Sequence, residues 1–112
     1  MAEKRLILAM GSGHADVHEG YTQAARHAVN DALSHSSLAL FQSLELDERQ
    51  TRVEVTIGVP KPDSIDEQAI IAELTAGQVS VTVRHGGLDV QGPDGSPSRL
   101  VAAAAVAVFL AV

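Results

Sequence analysis

Glycines, histidines and carboxylates crowd into Gly11-Ser12-Gly13-His14-Ala15-Asp16-Val17-His18-Glu19-Gly20, between the apolar run Leu6-Ile7-Leu8-Ala9-Met10 and an amphipathic stretch. Strand-to-helix loops gather function because a rigid scaffold positions polar groups that need not fill a core. Three chemistries are open to these residues. In an extended loop, residues two apart share a side. That lines up His14, Asp16 and His18 as ligands for a divalent metal such as zinc, iron or manganese, with Glu19 or a water completing the set. The plain alternative is a solvated loop whose Asp16 caps the coming helix. Second, successive amides of Gly11, Ser12 and Gly13 can form an anion nest ahead of a helix N-terminus and hold a carboxylate or phosphate. The alternative is that glycine only serves the sharp turn out of the strand. The dinucleotide fingerprint is incomplete, since Asp16 stands where its third glycine belongs, and no Gly-Lys-Ser/Thr follows.

Third, His27, Asp31 and His35 sit four apart, in line along a helix flank. Asp31 can orient either imidazole for general acid–base work, or the row is a solvent-facing hydrogen-bonded stripe. Ser12, Ser36 and Ser37 are nucleophile candidates, but nothing matches the Gly-x-Ser-x-Gly elbow. Arg84-His85 falls at a loop tip.

These groups need a scaffold, and the periodicity supplies one. Arg5 to Met10 reads as a strand buried on both faces. Thr22 is the expected cap of a helix whose stripe is Ala24, Ala25, Ala28, Val29, Ala32 and Leu33. Leu38 to Leu46 is a packed connection. Val53, Val55, Ile57 and Val59 alternate with Arg52, Glu54, Thr56 and Gly58, so Thr51 to Val59 is a strand with one wet face. Ser64-Ile65-Asp66-Glu67 matches a capping box for a second helix, which Gly77 ends. Val79, Val81 and Val83 mark a third strand. Gly86-Gly87 suits a two-residue hairpin turn to a return strand at Leu88–Gln91. Ala102 to Ala105 favours helix by propensity, but the apolar run after it favours a strand, and strand is the reading adopted.

The order is β-α-β-α-β-β-β. The expected fold class is α/β, an α+β two-layer sandwich with a mixed sheet and two helices on one face. The last strand, bare and apolar, needs covering on both sides, which predicts a homo-oligomer.

The 112 residues fit one domain, 1–112. A net charge of -6 with scattered basic residues excludes a nucleic-acid footprint, and 3% aromatics leaves no base-stacking platform. No cysteine is present, which removes disulfides, zinc thiolates and cysteine nucleophiles. The apolar stretch Val101–Val112 is shorter than the roughly twenty residues a bilayer span needs, so no membrane partner and a cytoplasmic location are expected.

Met10-Gly11-x-Gly13, Asp16-x-His18, Thr22-x-Ala24-Ala25, Ala28-Val29-x-Asp31-Ala32, His35-x-Ser37-Leu38, Ile57-Gly58-Val59-Pro60 and Gly86-Gly87-Leu88 occur in that order. Together they resemble a small bacterial family of hypothetical proteins catalogued under a Listeria "lin" locus name. The likeness runs from Arg5 nearly to the C-terminus. It implies a single domain with no assigned reaction and a polar pattern of Gly11, Gly13, Asp16, His18, Asp31, His35 and Ser37. His14 and His27 lie outside that pattern, and Ala39-Leu40 replaces the family's Pro-Gly turn. At the level of fold alone the chain is similar to the repeated domains of ring-opening cyclic amide hydrolases, an analogy that does not fix function.

Two functions follow. One is a hydrolase- or isomerase-like small-molecule site for an anionic or carbonyl-bearing ligand. Gly11, Ser12, Gly13 and Ser37 would bind it, and His18 or His35 would act as acid or base beside Asp16 or Asp31. The other is a non-catalytic oligomeric binding or structural protein.

Overall fold

The alanine run near the C-terminus decides the sheet. Isolated, Ala102–Ala105 would favour helix, but pairing on both sides overrides that weak preference. In the structure, a computed structural model describing residues 3–34, 51–72, 74 and 78–111, the run lies inside a 15-residue strand. The elements are β1 (Glu3–Asp16), α1 (Tyr21–Ser34), β2 (Thr51–Val59), a 3-10 turn (Pro62–Ser64), α2 (Glu67–Ile71), β3 (Gln78–His85), β4 (Leu88–Gln91) and β5 (Pro97–Ala111). This is the expected mixed α+β order.

The five strands run β1-β5-β2-β3, with β4 also on β5. β5 is antiparallel to β1, β2 and β4, while β2 and β3 are parallel. Side-chain alternation gives the sheet two unlike faces. One face carries Ala9, Ala15, Val53, Val55, Ile57, Val59, Leu100, Ala102, Ala104, Val106 and Val108, all buried with Ala24, Ala25, Ala28, Val29 and Ala32 of α1 and Ile70 of α2. The buried residues of α1 are five of the six stripe positions, and Leu33 is half-buried. The other face carries no helix among the described residues.

Several local expectations change. The second helix is capped by Asp66, whose carboxylate accepts from the Gln68 and Ala69 amides; Ser64 instead closes the 3-10 turn by donating to the Lys61 carbonyl. Thr22 lies inside α1 rather than capping it. Its hydroxyl donates to the Ser64 carbonyl and accepts from the Asp66 amide, tying the helices together. Gly86-Gly87 makes no β3–β4 hairpin, because β4 pairs with β5. The chain crosses the end of β2 at backbone contact. A Cβ on Gly87 (φ +65) would lie 2.3 Å from the Val101 carbonyl oxygen, and one on Gly86 would lie 3.2 Å from Gly58 Cα. At Gly87 the close approach and the positive φ together require glycine, while the Gly86 contact is tight but less severe. Gly77 and the Leu38–Leu46 connection lie outside the described residues.

Tyr21 fastens α1 to β4 by donating to Asp89 Oδ1 at 2.7 Å. Burial, reinforced by that bond and by the Asp89 charge, pushes its phenol up from 10.0 to about 12. The folded state thus holds this proton more tightly than the unfolded chain. The resulting stability is complete below pH 10 and is lost as pH rises through about 12. Tyr21→Phe should cost about 1 kcal/mol at neutral pH and flatten the alkaline decline in a urea-midpoint series.

Candidate functional site

The segment expected to be a loop is strand. β1 continues through Gly11, Ser12, Gly13 and His14 to Asp16, paired with Ala104 through Arg99 of β5. Glycine is needed there because α1 lies directly on the strand. A Cβ on Gly13 would stand 2.2 Å from the Ala28 amide nitrogen, and one on Gly11 would stand 2.3 Å from that of Ala32. Alanines on α1 and glycines on β1 let the two backbones approach.

In a strand successive amides point to opposite edges, so the expected nest does not form. The Ser12 amide donates to Asp31 Oδ2 at 2.9 Å. One turn away, His27 Nδ1 is 2.9 Å from the His14 carbonyl. A carbonyl only accepts, so Nδ1 carries the proton and Nε2 accepts from Gln23 Nε2 at 3.0 Å. Arg26 Nη1 in turn donates to Gln23 Oε1. His27 and Asp31 thus do not face each other as base and orienter. They fasten α1 to the outer edge of β1 and cover backbone groups that an edge strand otherwise leaves open. His35, Ser36 and Ser37 lie outside the described residues.

Beyond the clamp, the Asp16 amide donates to Glu19 Oε1, and its carbonyl accepts from the Glu19 and Gly20 amides. This turn ends the alternation that would have aligned His18 with His14 and Asp16. His18 stands exposed in it. Among the described residues no three histidine or carboxylate side chains stand close enough to hold a metal ion.

What the fold does assemble is on the uncovered face. Residues opposite each other in an antiparallel ladder share a face. His14 is level with Val101 and Leu88, and Asp16 with Arg99 and Val90. Arg99 Nη1 lies 3.4 Å from His14 Nδ1, and its Nε lies 3.7 Å from Asp16 Oδ1. An arginine only donates, so His14 Nδ1 accepts and its proton sits on Nε2. An imidazole, a guanidinium and a carboxylate thus share one end of the sheet, where an oxygen anion or a carbonyl could be gripped. Arg99 escaped the motif reading because it is brought to Asp16 only by the β1–β5 register. A basic residue opening the last strand, opposite an acid closing the first, was the available signal.

Next to this cluster the face turns apolar. Ala103, Ala105 and Ala107 run down β5, flanked by Leu8 (47% exposed) and Met10 (67%) on β1, while Leu88 (59%) and Val90 (40%) on β4 flank its polar end. At the far end Arg52 pairs with Glu54 and lies over the Phe109 ring. A separate open depression of about 500 Å3 is lined by Pro60–Ser64 and contains none of the candidate groups. No helix among the described residues is long and apolar enough to cross a membrane.

Comparison with known proteins gives a family and a shared fold. A family of conserved hypothetical proteins, Lin0512_fam, matches residues 5–108. No curated protein matches the chain. An FtsZ-like protein of unknown function from Nostoc punctiforme PCC 73102, known from its crystal structure, is 33% identical. The match covers 100% of this chain and 99% of that one, with a TM-score of 0.81.

Proposed function

The chain belongs to this family of conserved hypothetical proteins, and on that footing we propose that it works as an assembly of identical copies holding a small anionic or carbonyl-bearing molecule at the polar end of the open sheet face. The observation that carries this reading is the His14–Arg99–Asp16 cluster beside exposed Leu88 and Val90. Arg99 offers a planar fork for a carboxylate or carbonyl oxygen. The His14 Nε2–H adds a second donor. Alone, the cluster is a solvated surface on which such contacts are weak. A second copy laid over the apolar neighbours would give it walls and a lower local dielectric, which strengthens every polar contact inside. His18, two residues past Asp16, supplies an exposed acid–base group for hydrolase- or isomerase-like chemistry.

A thermal-shift series with acetate, malonate and acetamide tests the site. A ligand at a hundred times its Kd should stabilise wild type by about 2.7 kcal/mol, and Arg99→Gln should abolish that gain. No gain in wild type, or the same gain in Arg99→Gln, would sink the reading.

One observation favours the second reading, a non-catalytic structural protein. The Ser12 amide, His27 and Asp31, three groups that could have bound a ligand, are occupied in clamping α1 to β1. Under that reading the ligand series is silent while assembly persists.

A further inference from the structure

The two edges of the sheet are treated differently. β1 is the outer strand on one side, and side chains cover it: Asp31 takes the Ser12 amide, His27 the His14 carbonyl and Glu19 the Asp16 amide. β3 is the outer strand on the other side. Among the described residues its partner is β2 alone and no side chain bonds to its outer edge. In its eight residues, Gln78–His85, there is no proline, no lysine, no acid and no bulge, devices by which sheet edges are kept from pairing; its arginine, Arg84, stands next to the last residue of the strand. An uncovered strand of this kind is a template for another strand.

The sequence says which strand. Val79-Ser80-Val81-Thr82-Val83 reads alike in both directions in chemical type. We infer that β3 pairs antiparallel with β3 of a second copy, about a two-fold axis through Val81, so that the two sheets join into one. In that register Val79 meets Val83, Val81 meets its own counterpart, Ser80 meets Thr82 and Gln78 meets Arg84. Each pair lies on one face, as an antiparallel ladder requires, and no like charges are opposed. Half-buried valines continue the helix-covered layer, while Ser80 and Thr82 continue the polar margin of the open face. A two-fold interface must be self-complementary, and this strand satisfies that in its own sequence. An unrelated extended peptide would have no need of the palindrome. The inference uses a different surface from the open-face reading, so the two stand or fall separately.

Charge placement tests it without touching the core, because Ser80 and Thr82 are exposed. The double variant Ser80→Lys, Thr82→Lys sets ammonium groups opposite each other across the axis twice. Ser80→Glu, Thr82→Lys sets opposite charges there instead. Both put bulky charged groups at the same two positions, so a general effect on the face would act in both. By sedimentation equilibrium the first variant should weaken association about tenfold and the second should hold wild-type affinity or exceed it. Amide exchange of β3 should slow with rising wild-type concentration and lose that dependence in the first variant only. Exchange of β3 that is independent of concentration, or equal weakening in both variants, would overturn the pairing. So would β3 protection that appears only when an added extended peptide is present.

Discussion

Gly13→Ala should nearly unfold this protein, although it adds one methyl group. The new Cβ would sit 2.2 Å from the Ala28 nitrogen, 2.5 Å from the Ala24 carbonyl oxygen and 2.6 Å from the His27 carbonyl carbon. All three are helix backbone, so no rotamer change relieves the clash. α1 must lift off β1, which opens the seam at Ala24, Ala28 and Ala32 and breaks the Asp31 and His27 bonds to the strand. Overpacking of side chains typically costs 1–3 kcal/mol, and a backbone clash that moves a helix should reach at least about 3 kcal/mol. That is a large share of the roughly 5–15 kcal/mol available to a domain. Gly95→Ala is the control: a Cβ there meets nothing within 4 Å, and the positive φ of 82 costs only backbone strain of about 1 kcal/mol. Urea unfolding midpoints should separate the two variants clearly. Equal midpoints would mean that α1 does not rest on the strand as described.

That same contact shows why the fold was more legible than the site. Periodicity is a local property, and it identifies Thr51–Val59 to the residue and five of the six apolar stripe positions of α1. Gly11-Ser12-Gly13 misled because glycine has two uses. It bends a chain freely, which suggests a loop, and it lets another backbone come close, which is its use here. Nothing within ten residues of Gly13 reveals that α1 will cross it at contact distance. The Gly86-Gly87 reading failed for the same reason. Residues paired by register, such as Arg99 with His14 and Asp16, are distant in sequence and become neighbours only once β5 is known to lie beside β1. His27 and Asp31 share a helix flank, as their spacing of four implies, but each reaches across to the backbone of β1, Asp31 to the Ser12 amide and His27 to the His14 carbonyl, a pairing that helix spacing alone does not reveal.

The second large effect concerns the open face. Leu8, Met10, Leu88 and Val90 leave 40–67% of their surface in water. Taking strands about 4.8 Å apart and about 3.3 Å per residue, a face four strands wide and about nine residues long covers roughly 550 Å2. Two such faces pressed together would bury roughly 1,100 Å2, just above the ~1,000 Å2 that a specific interface needs. Met10→Lys with Leu88→Lys removes the two most exposed apolar side chains from it and substitutes charges. Each lost burial is worth about 1 kcal/mol for a half-exposed residue. Counted on both copies, that weakens association roughly a thousandfold. Neither residue belongs to the core, so the unfolding midpoint of the isolated chain should stay within about 0.5 kcal/mol of wild type.

Sedimentation velocity on wild type and on this double variant, run across a range of protein concentrations, tests directly whether the uncovered sheet face is where the protein meets its own kind. Wild type should sediment as an assembly built through this face, and the double variant as a smaller species, no larger than a pair joined through β3. A wild type that remains a single chain at the highest concentration, or a double variant that sediments as wild type does, would contradict it.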